Sequence, residues 1–334
     1  MKLDAALPPV PLAEVPAIAR AAEAIGFDAL WTSESTHDPF LPHSLIAEHT
    51  RRLYSGTAIA VSFARSPATL AYTAWDLAAQ SQGRFILGLG TQVKAHIERR
   101  FGMEWPVSVT GKLREQIQAI RALWECWQNS APLNFRGEYY KLTLMAPFFD
   151  PGKLPIDGFP PIYIAGVNSG LATLAGEACD GFHVHPFHTP RYLREVLLPA
   201  IGAGAQKAGR PKTATAVSIT AFVASTAVER EAARQQIAFY ASTPSYRAVL
   251  GLHGWGESGE KLSALAARGK WNEMPALVTD EMLETFAVLA DENGLAQAIR
   301  ERYAGIADRI TLYMPFIPGQ RDMFWRGLAD AFHD

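Results

Sequence analysis

Two short segments of this chain gather side chains able to move protons near neutral pH. Ser33-Glu34-Ser35-Thr36-His37-Asp38 sets a histidine just after a carboxylate, and His183, His185 and His188 follow one another in a second segment. Imidazole is suited to proton transfer at that pH, and a nearby carboxylate can fix its tautomer. Glu34 and His37 are therefore a candidate acid–base pair, with a solvated loop histidine as the plainer alternative. His183 and His185 share a strand face at i, i+2, so His185 projects from the strand end while His183 packs deeper. That spacing also suits two metal ligands. No acidic residue accompanies them, and no metal site is expected.

A third segment, Gly83 to Gly90 followed by Thr91, Gln92, Lys94 and His96, reads as a turn, a buried apolar strand and a polar lead into a helix. Glycine at a strand's end lets another molecule approach the backbone. Gly88 and Gly90 serve either that purpose or barrel packing. A fourth segment, Ala165-Gly166-Val167-Asn168-Ser169-Gly170, opens a helix whose free N–H groups and dipole suit an anion. There is no G-x-S-x-G elbow, P-loop or G-x-G-x-x-G.

The elements that must position these residues alternate along the chain. Strands are expected at 2–7, 27–32, 53–62, 83–90, 161–165, 180–184, 215–224 and 309–313, with helices between them. Examples are a helix closed by Gly26 and one opened by Ser66-Pro67. Strand–helix repetition means a parallel sheet, and eight strands over this length fit an α/β (β/α)8 TIM barrel. Insertions interrupt the rhythm after strands 4 and 7, at about 129–160 and 242–279. Both read as irregular and aromatic-rich, the second containing Tyr246 and Trp255. The whole chain, 1–334, is read as a single domain.

In such a barrel the loops after the strands converge on one mouth. With 334 residues, 49% hydrophobic and 19% charged, the chain is expected to be globular. A net charge of -2 provides no footprint for nucleic acid or an anionic membrane. Cys126 and Cys179 are expected to be buried free thiols. No apolar run approaches the span of a membrane helix, and Asp4 interrupts any signal-like start, so a cytoplasmic location is expected.

Several motifs together resemble a known family. They are Trp31-Thr32-Ser33-Glu34, Ala64-Arg65-Ser66-Pro67, Ser81-Gln82-Gly83-Arg84-Phe85-Ile86-Leu87-Gly88-Leu89-Gly90-Thr91 and Ala175-Gly176-Glu177-Ala178-Cys179-Asp180-Gly181-Phe182. In this order they resemble the bacterial luciferase-like superfamily of barrel flavoproteins, most closely its deazaflavin (coenzyme F420)-dependent oxidoreductases. The resemblance implies a barrel, often a homodimer, that holds the cofactor ring at its C-terminal mouth. It also implies a non-proline cis peptide at Ala58-Ile59 supporting one ring face. Gly90, Thr91, Gln92 and His96 would line the cofactor, and Ala165, Gly166 and Val167 would meet its phosphate-bearing tail. Glu34 stands where relatives carry aspartate, and their histidine corresponds to Ser35 or, with a shift, to His37.

The expected activity is hydride transfer between F420 and an apolar enone, alkene or carbonyl small molecule. His37 would move the proton, Glu34 would orient it, and Phe40, His185, Tyr246 and Trp255 would shape the substrate pocket. Gln92-Val93 replace a carboxylate found in some relatives, which points away from sugar phosphates. The alternatives are an FMN-dependent luciferase-like monooxygenase and a non-catalytic flavin-binding protein.

Overall fold

The structure, a computed structural model, describes residues 1–333. Eight parallel strands close on themselves: β1 (Lys2–Ala6), β2 (Ala29–Thr32), β3 (Tyr54–Thr57), β4 (Phe85–Gly90), β5 (Ile162–Gly166), β6 (Gly181–Val184), β7 (Ala216–Ala224) and β8 (Arg309–Pro315). Each pairs with the next, and β8 pairs with β1. The strands carry nearly continuous apolar runs because helices cover the outside and side chains fill the inside. The closed barrel is thus the (β/α)8 architecture that strand–helix alternation predicts.

The covering helices include α1 (Val15–Ile25), α2 (Leu41–His49), α3 (Pro67–Gln80), α4 (Val109–Asn129), α5 (Ser169–Ala178), α6 (Leu198–Lys207) and α7 (Ala227–Ala241). Ser66 caps α3 by accepting from the Thr69 N–H at 3.1 Å, with Pro67 in the first turn. The helices α5 and α6 cross closely. A Cβ at Gly176 would lie 1.9 Å from the Ile201 carbonyl oxygen, and one at Gly204 equally close to that of Thr173. Arg84 spans from β4 to the end of α2, donating to the Leu53 carbonyl at 2.7 Å and the Thr50 hydroxyl at 3.0 Å.

The first insertion holds a small hairpin, Phe135–Arg136 with Lys141–Leu142. Its turn is pinned by the buried Glu115 carboxylate, which accepts from the N–H groups of Glu138, Tyr139 and Tyr140. The second insertion corrects the expectation of an irregular stretch, since it contains helices Arg247–Leu252 and Gly256–Ala267. Its glycines suggest a coil, yet Gly254 and Gly269, at φ +77° and +69°, are what end those helices. A short strand, Ala287–Leu289, adds to the outer end of β7 and escapes the sequence reading.

Inside the barrel, the fully buried Asp4 carboxylate takes two bonds of 2.7 Å from Arg309 and one of 2.9 Å from the Trp31 indole. Trp31 then meets His183 edge-on at 4.8 Å, with Tyr163 beside both. His183 is the packed core histidine its strand position predicts. Both cysteines are free and buried. Among the described residues no helix is long and apolar enough to cross a membrane.

Two outcomes follow from this interior. Asp4→Asn strands a buried guanidinium without its counter-charge and should cost about 3 to 5 kcal/mol in urea denaturation; a loss below about 1 kcal/mol would contradict the pairing. Burial pushes the imidazoles of His43 and His183 down to about 3. Each is neutral when folded but takes up a proton on unfolding below its ordinary value. Their stabilisation is therefore complete above about pH 6.5 and is lost as pH falls toward 3. His43→Gln should flatten the acid limb of the stability curve by about 1.4 kcal/mol per pH unit near pH 5. An unaltered slope would show that His43 is already charged in the fold.

Candidate active site

The mouth takes shape where β3 leaves its regular pairing. Ser55 and Gly56 pair with Phe85 and Ile86, and pairing resumes with Ala60 and Val61 against Leu89 and Gly90. Residues 57–59 therefore face only 87–88, and β3 bulges. Thr57 fills the missing rung with its side chain: its hydroxyl donates to the Gly88 carbonyl at 2.6 Å and accepts from the Gly88 N–H at 2.9 Å. A Cβ on Gly88 would lie 1.7 Å from the Thr57 carbonyl oxygen, so only glycine fits. The Ala58–Ile59 peptide is cis, at the position the resemblance indicated. The Ile59 side chain lies where a Cβ on Gly90 would be, 2.5 Å from its Cδ1. Ile59 and Gly90 thus make an apolar shelf, with the half-buried Ala58 next to it on the Trp31 side.

Loop residues after β2 grip this bulge. The Ala58 N–H donates to the Thr32 carbonyl at 2.6 Å, and the Glu34 N–H to that of Ile59 at 3.2 Å. The Glu34 carboxylate accepts from the Val61 N–H at 2.6 Å and takes both arms of Arg65 at 2.7 and 2.9 Å. This corrects the expectation that Glu34 orients His37, because its oxygens are committed to Arg65 and the bulge. Phe40 is corrected as well: it is buried in the core beneath the Arg65 guanidinium, 5.3 Å from ring centre, and lines no substrate pocket. His37 is exposed on the rim of a small cavity of about 30 Å³, with Ser33, Ser35, Thr36 and Asp38.

Across the mouth, Thr91 is buried, Gln92 adopts φ +58° and His96 lies exposed on the short helix Lys94–Arg99. At the end of β5, Ala165 and Gly166 are half-buried, and Val167 just after it is buried. Leu171 packs so close to Gly166 that a Cβ there would lie 2.8 Å from its own. No side chain caps α5, which leaves its first N–H groups directed outward. Asn168 reaches the Ser245 carbonyl at 3.5 Å and ties this loop to the second insertion.

That tie places Tyr246 beside His185. The Phe187 N–H donates to His185 Nδ1 at 3.1 Å, which leaves the proton on Nε2, 3.2 Å from the Tyr246 hydroxyl. Tyr246 accepts that bond and keeps its own proton to donate. Burial pushes His185 down to about 3 and the Tyr246 hydroxyl upward, so both are neutral across the physiological range. Tyr240 completes the aromatic wall, edge-on to His185 at 4.7 Å and hydrogen-bonded to the Tyr313 hydroxyl at 2.6 Å. Trp255 stands further back, stacked on His253 and joined to Tyr246 only through Phe286 and Phe187. Sequence reasoning missed Thr57, Arg65, Tyr240 and Tyr313. Only Arg65 had a signal, in the Ala-Arg-Ser-Pro motif. Among the described residues no three histidine, cysteine or acidic side chains gather as a metal site.

These features fit a planar heteroaromatic cofactor with an anionic tail. An apolar shelf stands beside an uncapped helix start, and His183 Nε2, abutting Gly88, is buried without a hydrogen-bond partner among the described residues.

Comparison with known proteins agrees with this architecture. An uncharacterised protein of Mycobacterium tuberculosis strain H37Rv is 45% identical over 316 residues, covering 93% of this chain and 92% of its own. The F420-dependent glucose-6-phosphate dehydrogenase of Amycolatopsis mediterranei is 32% identical over 200 residues, 56% of this chain and 57% of the relative. Two solved structures share the fold. The coenzyme F420-dependent tetrahydromethanopterin reductase of Methanopyrus kandleri has a TM-score of 0.78 at 19% identity, over 99% of this chain and 97% of that one. An F420-dependent secondary alcohol dehydrogenase, in complex with an F420-acetone adduct, has a TM-score of 0.76 at 20% identity, over 100% and 99%. The luciferase-like monooxygenase family model matches residues 3–309, nearly the whole barrel, and the chain belongs to that family.

Proposed function

We propose that this chain is an F420-dependent oxidoreductase that exchanges a hydride between the deazaflavin and an apolar enone, alkene or carbonyl. The observation that carries the reading is the pairing of an apolar shelf at Ile59 and Gly90 with a facing wall of neutral hydrogen-bonding groups. Its F420-dependent relatives support the choice of cofactor over FMN.

When bound, the deazaflavin supplies or accepts the hydride. Ala58, Ile59 and Gly90 support its ring, Thr91, Gln92 and His96 border it, and Ala165, Gly166, Val167 and the first turn of α5 hold its tail. Tyr246, whose hydroxyl accepts from His185, donates to an oxygen of the substrate and orients it. Because both groups are neutral, this wall offers no counter-charge to a phosphate. Reduction of a carbonyl also requires a proton at oxygen as the C=O π bond breaks, and His37 on the opposite rim delivers it.

His37→Ala should lower turnover by about 10²-fold while cofactor affinity stays within a few-fold. Unchanged turnover would remove His37 from the reaction. Tyr246→Phe should raise KM for a ketone such as cyclohexanone by about tenfold, and KM of the parent enzyme should stay flat from pH 5.5 to 9. Reduced F420 with cyclohex-2-enone should give saturated product without oxygen uptake; no turnover with reduced F420 but stoichiometric oxygen uptake with reduced FMN would place the enzyme with the FMN-type monooxygenases.

A further inference from the structure

We infer that Glu34 and Arg65 form a latch that fixes residues 58–61, and with them the cofactor shelf. Glu34 is a positioning residue acting on the third strand. The inference rests on the proposed function only for what the shelf carries; the latch itself stands on contacts of this chain.

Four contacts converge on the bulge, one from the end of β2, two from Glu34 in the loop after it and one from Arg65. The Thr32 carbonyl holds the Ala58 N–H, the Glu34 N–H holds the Ile59 carbonyl, and the Glu34 carboxylate holds the Val61 N–H. Arg65 also donates to the Val61 carbonyl at 3.2 Å, so the one ion pair grips both polar groups of that residue. The Glu34 side chain is only 6% exposed and that of Arg65 18%, which shields their fork-to-fork pairing from water. The guanidinium reaches on to Asp38 at 3.3 Å and rests on Phe40. Asp38 in turn accepts from the N–H groups of Phe40 and Leu41 at the start of α2. The loop that bears His37 and the bulge that bears the shelf are therefore clamped by the same two side chains.

A bulge lacks the full ladder that holds a regular strand, so residues 58 and 59 have no partner on β4 and the short pairing of Ala60 and Val61 is reinforced by the Glu34 and Arg65 contacts. Without Arg65 the shielded Glu34 carboxylate loses its counter-charge, and without Glu34 the Val61 N–H loses its acceptor and Arg65 keeps only Asp38.

The test uses the whole protein with Glu34→Leu, Arg65→Met and the double variant, and reads amide hydrogen exchange across residues 58–63 without cofactor. Exchange there should speed up at least tenfold in each single variant, with β5 and β6 unchanged, and the double variant should be no worse than the singles. Oxidised F420, titrated by fluorescence, should bind each variant at least tenfold more weakly. Arg65→Lys, which keeps the charge but loses the fork, should fall between parent and Arg65→Met in both readouts. Unchanged exchange in the single variants, or effects that add in the double, would overturn the latch. If the parent protein binds no F420 while exchange responds as stated, the latch holds and the cofactor assignment fails.

Discussion

The contact between Thr57 and Gly88 is the constraint on which the site depends. A threonine hydroxyl takes the place of a backbone rung, bonding both polar groups of Gly88, and this lets β3 carry an extra residue without leaving β4 unsatisfied. Of the residues freed by that substitution, Ala58 packs on the Trp31 cluster and Ile59 uses the space left by Gly90. Strand pairing and shelf are thus one arrangement. The loop after β2 completes it, because Glu34 and Arg65 hold the far side of the bulge.

The barrel divides its polar groups by depth. At the closed end the buried charges Asp4 and Arg309 satisfy one another. Above it come histidines that burial keeps neutral. At the mouth, Tyr246 and Tyr240 present hydroxyls whose ionisation burial opposes. A charged group brought against this wall would lose hydration without gaining a counter-charge from it.

Much of the fold was legible in the sequence, because strand–helix alternation and the caps at Gly26 and Ser66 are local signals. The glycines of β4 were legible as necessary but not in their role. Gly88 answers to Thr57 and Gly90 to Ile59, partners that only pairing across the sheet brings near. Glu34 was misread for the same reason: His37 is its neighbour in sequence, whereas Arg65 meets it only once β3 is in place. Phe40 looked like a pocket wall from its position in a loop, yet Arg65 covers it and the core absorbs it. His185 and Tyr246 were named separately, and the insertion that joins them was read as irregular because glycines that end helices resemble those that prevent them.

The most direct measurement is a parallel fluorescence titration of the purified protein with oxidised F420 and with FMN. The account predicts micromolar or tighter binding of F420 and at least a hundredfold weaker binding of FMN, about 2.7 kcal/mol of discrimination. Equal affinity for the two would leave the shelf intact but contradict a site built for the deazaflavin. Binding of FMN alone would move the enzyme to oxygen chemistry and overturn the central claim.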